Sequence, residues 1–140
     1  MKHLFTFLML VFCCTAAAQD VALFNKDGKA IAYIDTKDKD RTIYLYSGEP
    51  VAVISEADVY GFNGKHLGWY EKGVVRDHDG KRIGNTKKAA TGYTQYEPYK
   101  SYKRQKPYMG YKRYPPYKPY FSNAWSDGSF EVFLSKGTEK

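Results

Sequence analysis

Residues 59–84 read VYGFNGKHLGWYEKGVVRDHDGKRIG, and they contain one phrase twice. Asn63-Gly64-Lys65-x-Leu67-Gly68 returns sixteen residues later as Asp79-Gly80-Lys81-x-Ile83-Gly84. Working outward towards the N-terminus, two looser copies appear, Asp27-Gly28-Lys29-x-Ile31-Ala32 and Ser47-Gly48-Glu49-x-Val51-Ala52. A repeat of this length is one small unit that cannot bury its apolar face alone. Asn-Gly, Asp-Gly and Ser-Gly between apolar residues mark two-residue hairpin turns, because these residue types tolerate the positive φ that such turns need. Counting outward pairs Phe24 with Ile31, Tyr44 with Val51, Tyr60 with Leu67 and Arg76 with Ile83. On the other face Leu23 meets Ala32, Ile43 meets Ala52, Val59 meets Gly68 and Val75 meets Gly84. The second set puts an aliphatic residue against Ala or Gly every time, which points to a crowded centre where backbones approach closely. A lone hairpin is marginal in water, and a ring of four also removes the exposed strand edges. The expected fold is therefore all-β: four antiparallel hairpins in a closed or near-closed flower, with an open meander as the alternative.

At the N-terminus, Lys2 and His3 precede an apolar run from Leu4 to Cys13, then Ala16-Ala17-Ala18 and the polar pair Gln19-Asp20. This is the pattern of a secretory signal over residues 1–18, cleaved between Ala18 and Gln19, and it implies an exported protein of the periplasm, envelope or exterior. An uncut anchor and acylation at Cys13 or Cys14 rank below simple cleavage. The run is short for a membrane span, so no transmembrane helix is expected after cleavage. Both cysteines of the chain lie in this segment, so the rest must be stabilised by packing without disulfides. The repeat domain covers residues 19–86, near the lower size at which a domain folds unaided. Its charge run Asp35-Thr-Lys-Asp-Lys-Asp-Arg41 reads as a solvated loop between hairpins.

The phrases Asp-Gly-Lys-x-Ile-Ala, Gly-Lys-His-Leu-Gly-Trp-Tyr-Glu-Lys-Gly and Val-Arg-Asp-His-Asp-Gly-Lys-Arg-Ile-Gly, with a basic period-three stretch after them and a short segment containing Trp and Ser at the end, resemble the bacterial 4-fold beta flower proteins. The resemblance covers nearly the whole chain. It implies a shallow symmetric arrangement of four antiparallel petals and no established activity. The tail departs from the family in using Tyr where Val and Gly are expected. A second resemblance, to the tyrosine-aspartate repeats of bacterial surface proteins, is weakened by the much greater length of those arrays.

Residues 87–121 change character. Tyr93, Tyr96, Tyr99, Tyr102, Tyr108, Tyr111, Tyr114, Tyr117 and Tyr120 keep a period of three broken only by Gln105, with Pro98, Pro107, Pro115, Pro116 and Pro119 between them. Polyproline II repeats every three residues, with a rise of roughly 3.1 Å per residue. The tyrosines then form one stripe, and Lys100, Lys103, Arg104, Lys106, Lys112, Arg113 and Lys118 occupy the other two faces. From Lys87 to Lys118 there are nine Lys or Arg and one acid, Glu97, a charge of +8. Outside that stretch and the signal, twelve basic and fourteen acidic residues give −2. These tyrosines and cations are the candidate polymer-binding residues. The candidate partners are anionic polysaccharide, cell-wall polymer and anionic lipid, with nucleic acid disfavoured by export. The competing expectation is a tail that packs on the repeat domain. Residues 122–140 carry Trp125, Phe130, Val132, Phe133 and Leu134, an apolar end that needs a surface to bury on.

The sequence offers little chemistry. His66 and His78 fall on different faces in the pairing above. Asp77-His78-Asp79-Gly80 lacks the later ligands of a calcium loop. Glu49, Glu56, Asp58 and Glu71 are acids with no spacing that recommends a catalytic pair. No cofactor, metal or catalytic residue is expected. The expected function is a non-enzymatic scaffold or binding protein. The alternatives are a small envelope-polymer hydrolase and an apolar-ligand binder at the flower centre, beside Ala32, Ala52, Gly68 and Gly84.

Overall fold

The structure, a computed structural model, describes residues 19–140; the expected signal segment, with Ala18, lies outside them. Eight strands run in order: β1 Val21–Phe24, β2 Ala30–Ile34, β3 Ile43–Leu45, β4 Pro50–Ser55, β5 Asp58–Gly61, β6 His66–Glu71, β7 Val74–Arg76 and β8 Arg82–Thr86. Each pairs antiparallel with the next, and β1 pairs with β8, so the sheet closes into a barrel of four hairpins as expected. Closure leaves no open edge.

The inner pairs are those read from the repeat: Leu23 faces Ala32, Ile43 faces Ala52, Val59 faces Gly68 and Val75 faces Gly84. All six of these that carry a side chain are fully buried, at 0% exposure. The outer pairs are displaced by one residue. Phe24 faces Ala30, Tyr44 faces Pro50, Tyr60 faces His66 and Arg76 faces Arg82, with a bulge in each hairpin. The turns are therefore longer than the two-residue type expected. In the first, the amide of Gly28 donates to the Asn25 carbonyl at 3.0 Å and the amide of Asn25 donates to the Lys29 carbonyl at 2.9 Å. Only Gly28 carries positive φ, at 76°, and Asp27 does not. This is a three-residue loop ending in a left-handed glycine bulge. The same pair of hydrogen bonds recurs at Gly48, Gly64 and Gly80.

One short helix, α1 Phe130–Ser135, follows an N-cap at Ser129, whose hydroxyl accepts from the Val132 amide. Phe130, Phe133 and Leu134 are buried and join the barrel core. The helix lies at the end of the barrel that carries the four glycine turns: the Asn63 amide donates to the Gly137 carbonyl at 3.2 Å, and Asn63 Nδ2 donates to that of Lys136 at 2.7 Å. A Cβ on Gly84 would come within 2.6 Å of the Phe130 ring, and one on Gly68 within 3.2 Å of Phe133. The space beside Gly68 and Gly84 is thus filled by the chain's own aromatic rings, at the place where the sequence alternative put an apolar ligand.

Candidate binding surface on the strap

The tail is neither a free spacer nor a segment that buries its tyrosines. Residues 93–122 form no helix, turn or ladder, and they run around the barrel as a strap pinned by backbone hydrogen bonds. The amides of Gln95, Arg104, Arg113 and Ser122 donate to the carbonyls of Gly28, Gly48, Gly64 and Gly80, at 2.8, 2.8, 3.0 and 3.1 Å. The donors are nine residues apart, which is three turns of polyproline II. The acceptors are the four turn glycines. Beside each anchor, a Cβ on the glycine would fall on the backbone carbonyl oxygen of Tyr93, Tyr102, Tyr111 or Tyr120 respectively. Each turn glycine thus serves the bulge with its φ and the strap with its bare Cα. Two further amides, of Ser101 and Gly110, donate to the carbonyls of Tyr46 and Phe62 at 2.9 and 2.7 Å.

A nine-residue repeat stands behind this fit, and the period-three reading passed over it. Gln95-Tyr-Glu-Pro-Tyr-Lys-Ser-Tyr-Lys103, Arg104-Gln-Lys-Pro-Tyr-Met-Gly-Tyr-Lys112 and Arg113-Tyr-Pro-Pro-Tyr-Lys-Pro-Tyr-Phe121 align along their whole length. The last position of each unit meets the outer strand position of a petal. Lys103 Nζ lies over the Tyr44 ring at 5.4 Å, Lys112 Nζ lies over Tyr60 at 5.6 Å, and the Arg76 guanidinium lies over Phe121 at 4.6 Å. At the third site the cation and the ring have changed places between strap and barrel. The contact is of cation–π type at all three.

The other cations also turn inward. Lys103 Nζ is 2.9 Å from Asp35 and 3.7 Å from Asp20. Lys106 Nζ is 2.7 Å from Asp38 and 3.5 Å from Asp40. Lys100 reaches Asp20 at 3.5 Å, and Lys118 reaches Glu71 at 3.5 Å. The charge run Asp35–Arg41 is therefore a dock for the strap, contrary to its reading as a loop that only meets solvent: the Asp35 and Asp38 side chains are only 13% and 15% exposed. Burial pushes the Asp38 carboxyl up, but hydrogen bonds from Lys106 and Thr42 outweigh it and hold the group at about 2. Arg104 and Arg113 are exposed, and their backbone amides are anchors. Gln19, on the far side of the expected cleavage point, accepts from the Thr36 hydroxyl through its carbonyl at 2.9 Å.

With the backbone amides and five lysines facing in, the nine tyrosines face out. Their exposure runs from 80% at Tyr93 to 101% at Tyr108. Aromatic rings usually bury most of their area, so a row of exposed rings is an unusual feature of a protein surface.

The one-residue displacement of the outer pairs also corrects the histidines. His66 and His78 lie together, with His66 Nδ1 3.0 Å from His78 Nε2 and the rings stacked at 11°. His66 Nε2 is 2.9 Å from Asp58 Oδ1. A carboxylate only accepts, so His66 carries a proton on Nε2, and its Nδ1 shares a hydrogen bond with His78 Nε2. Partial desolvation of the ring stacked on His66, and next the charge of His66 itself, push the His78 imidazole below its ordinary value. The chain Asp58–His66–His78 ends at an exposed imidazole with Trp69 edge-on to both rings. Among the described residues no cluster of three His, Cys, Asp or Glu is placed to hold a metal ion, and no helix is long and apolar enough to cross a membrane.

Comparison with known proteins agrees with the architecture. The family profile described as 4-fold beta flower protein matches residues 21–134, so the chain belongs to that family. No curated protein and no solved structure shows a significant match.

Proposed function

We propose that this 4-fold beta flower protein is an exported, non-enzymatic binding protein, in which the barrel is a scaffold and the strap presents its tyrosines to a polymer of the cell envelope or exterior. The observation that carries this reading is the outward row of nine tyrosines, every one at least 80% exposed, on a backbone held to the barrel by six hydrogen bonds. Ordering the strap in advance removes much of the entropy that a free tail would lose on binding. Export is supported by the N-terminal pattern of Lys2, the Leu4–Cys13 run and Ala16-Ala17-Ala18. A catalytic reading draws only on Asp58–His66–His78, whose exposed end has no hydrogen-bonded hydroxyl or thiol to activate among the described residues.

The test has two parts. Cell fractionation should find the protein outside the cytoplasm. Co-sedimentation with insoluble envelope polymers should retain the protein, and a variant with all nine strap tyrosines changed to Ser should stay in the supernatant with an unchanged melting temperature. Retention of the all-Ser variant equal to that of the unaltered protein would refute the reading.

A further inference from the structure

The strap directs most of its positive charge inward. Lys100, Lys103, Lys106 and Lys118 face carboxylates of the barrel, and Lys112 lies over Tyr60. A polyanion gains affinity by displacing counterions from free cations, and cations already paired add little to that. Beside the exposed Arg104 and Arg113, what the strap shows to solvent is a row of rings three residues apart. Residues three apart in polyproline II project in the same direction and lie roughly 9 Å from each other. Because the four anchors sit on four turns of a closed ring, the strap must change direction between spans, and a straight ligand can follow only one of them. The span Tyr111–Tyr120 suits a straight ligand best: four tyrosines, with Pro115, Pro116 and Pro119 fixing φ between them.

We infer that the Tyr111–Tyr120 span binds an extended β-1,4-linked glycan, with one tyrosine stacked on every second sugar. In such a chain each ring is turned over relative to the one before, so the same face recurs once per disaccharide. The length of that disaccharide is close to the tyrosine spacing. The sugar face is rich in C–H and buries against an aromatic ring, while the phenol oxygen stays free to hydrogen-bond the ring's hydroxyl groups. Four tyrosines at this spacing cover about seven sugars. This inference rests on the binding reading above and names its ligand.

The experiment measures depletion of the full protein from solution by microcrystalline cellulose, chitin, granular starch and a dextran sulfate resin. The variant Tyr114→Ser/Tyr117→Ser is compared with Tyr93→Ser/Tyr96→Ser, which alters a different span. Because every anchor is a backbone group, both variants should keep the native melting temperature. The expected result is binding to cellulose or chitin that barely changes with salt, a loss of about tenfold or more for Tyr114→Ser/Tyr117→Ser, and little loss for Tyr93→Ser/Tyr96→Ser. Binding to starch as tight as to the β-linked polymers would overturn the match of spacing. Binding confined to dextran sulfate, falling steeply with salt and indifferent to both variants, would overturn the glycan assignment and leave an envelope-binding protein of another kind. Equal losses for the two variants would overturn the choice of span. Binding to none of the four polymers, with envelope fractions still retaining the protein, would overturn the inference alone; binding to neither would overturn the proposed function with it.

Discussion

The substitution Gly48→Ala separates the two demands placed on a turn glycine. Gly48 has φ 91°, and its amide and carbonyl are committed to the Leu45 carbonyl and the Arg104 amide. The new methyl faces the backbone carbonyl of Tyr102, which cannot swing away as a side chain can. Left-handed backbone costs alanine about 1–2 kcal/mol more than glycine. Pushing the strap off removes the Arg104–Gly48 hydrogen bond, worth about 1 kcal/mol, and strains the neighbouring bond from Ser101 to Tyr46. The total is about 2–4 kcal/mol. Gly73→Ala supplies the comparison. Its φ of 79° imposes a similar backbone cost, but the atoms nearest its methyl belong to side chains, the Thr86 hydroxyl at 2.6 Å and the Ala89 Cβ at 3.1 Å, and the hydroxyl can rotate away. Urea denaturation should therefore show Gly48→Ala to be less stable than Gly73→Ala by about 1–2 kcal/mol. Hydrogen exchange of the Arg104 amide should quicken in Gly48→Ala alone, with the Arg113 amide unaffected. Equal destabilisation by the two substitutions, with the Arg104 amide as protected as before, would refute the strap as an anchored element.

Other outcomes follow from the same geometry. Phe130→Ala empties the ring position above Gly84 and should cost about 3–5 kcal/mol by thermal or urea denaturation. Phe121→Lys sets a second cation against the Arg76 guanidinium and should destabilise by about 1–3 kcal/mol, while adding Arg76→Tyr restores a cation–π pair of the kind at Lys112 and Tyr60 and should recover part of the loss. Asp38 has its folded value depressed to about 2 from 3.8, so its contribution is complete above pH 3.8 and is lost as pH falls through about 2. The stability gap between the unaltered protein and Asp38→Asn should close over that window in acid denaturation. His78 is also depressed when folded, so stability should fall as pH drops below its ordinary value of 6.5, and His78→Gln should flatten that slope.

The barrel was legible because its signal is local. A left-handed glycine after Asp or Asn marks a turn whatever surrounds it, and the Ala and Gly residues opposite Leu23, Ile43, Val59 and Val75 gave the inner register directly. The outer register was misplaced because Asp-Gly fits both a two-residue turn and a longer one with a bulge. The signal that decides between them lay two residues earlier. Asn25 and Asp77 each accept from two amides of their own loop through a side-chain oxygen, which favours the longer turn. That single residue of displacement separated His66 from His78 on paper. The strap was harder to read. Period three reports a backbone conformation, but where that backbone lies depends on contacts with residues more than forty positions away. The nine-residue repeat was visible in the sequence, and its match to the sixteen-residue repeat acquires meaning only once the four glycines stand around one ring. The acids of Asp35–Arg41 were misread for the same reason, since their partners Lys103 and Lys106 arrive from the far end of the chain.

The anchoring pattern constrains how such a protein can vary in size. In an ordinary repeat protein, duplicating one segment adds one unit. Here a fifth petal of sixteen residues would present a fifth glycine carbonyl with nothing to meet it, unless nine residues were added at the matching place in the strap. Those two insertions fall in separate parts of the gene. A deletion in either part would leave anchors of one series facing the wrong members of the other. The two repeats therefore act as a count and its check, and a change in petal number has to be written twice.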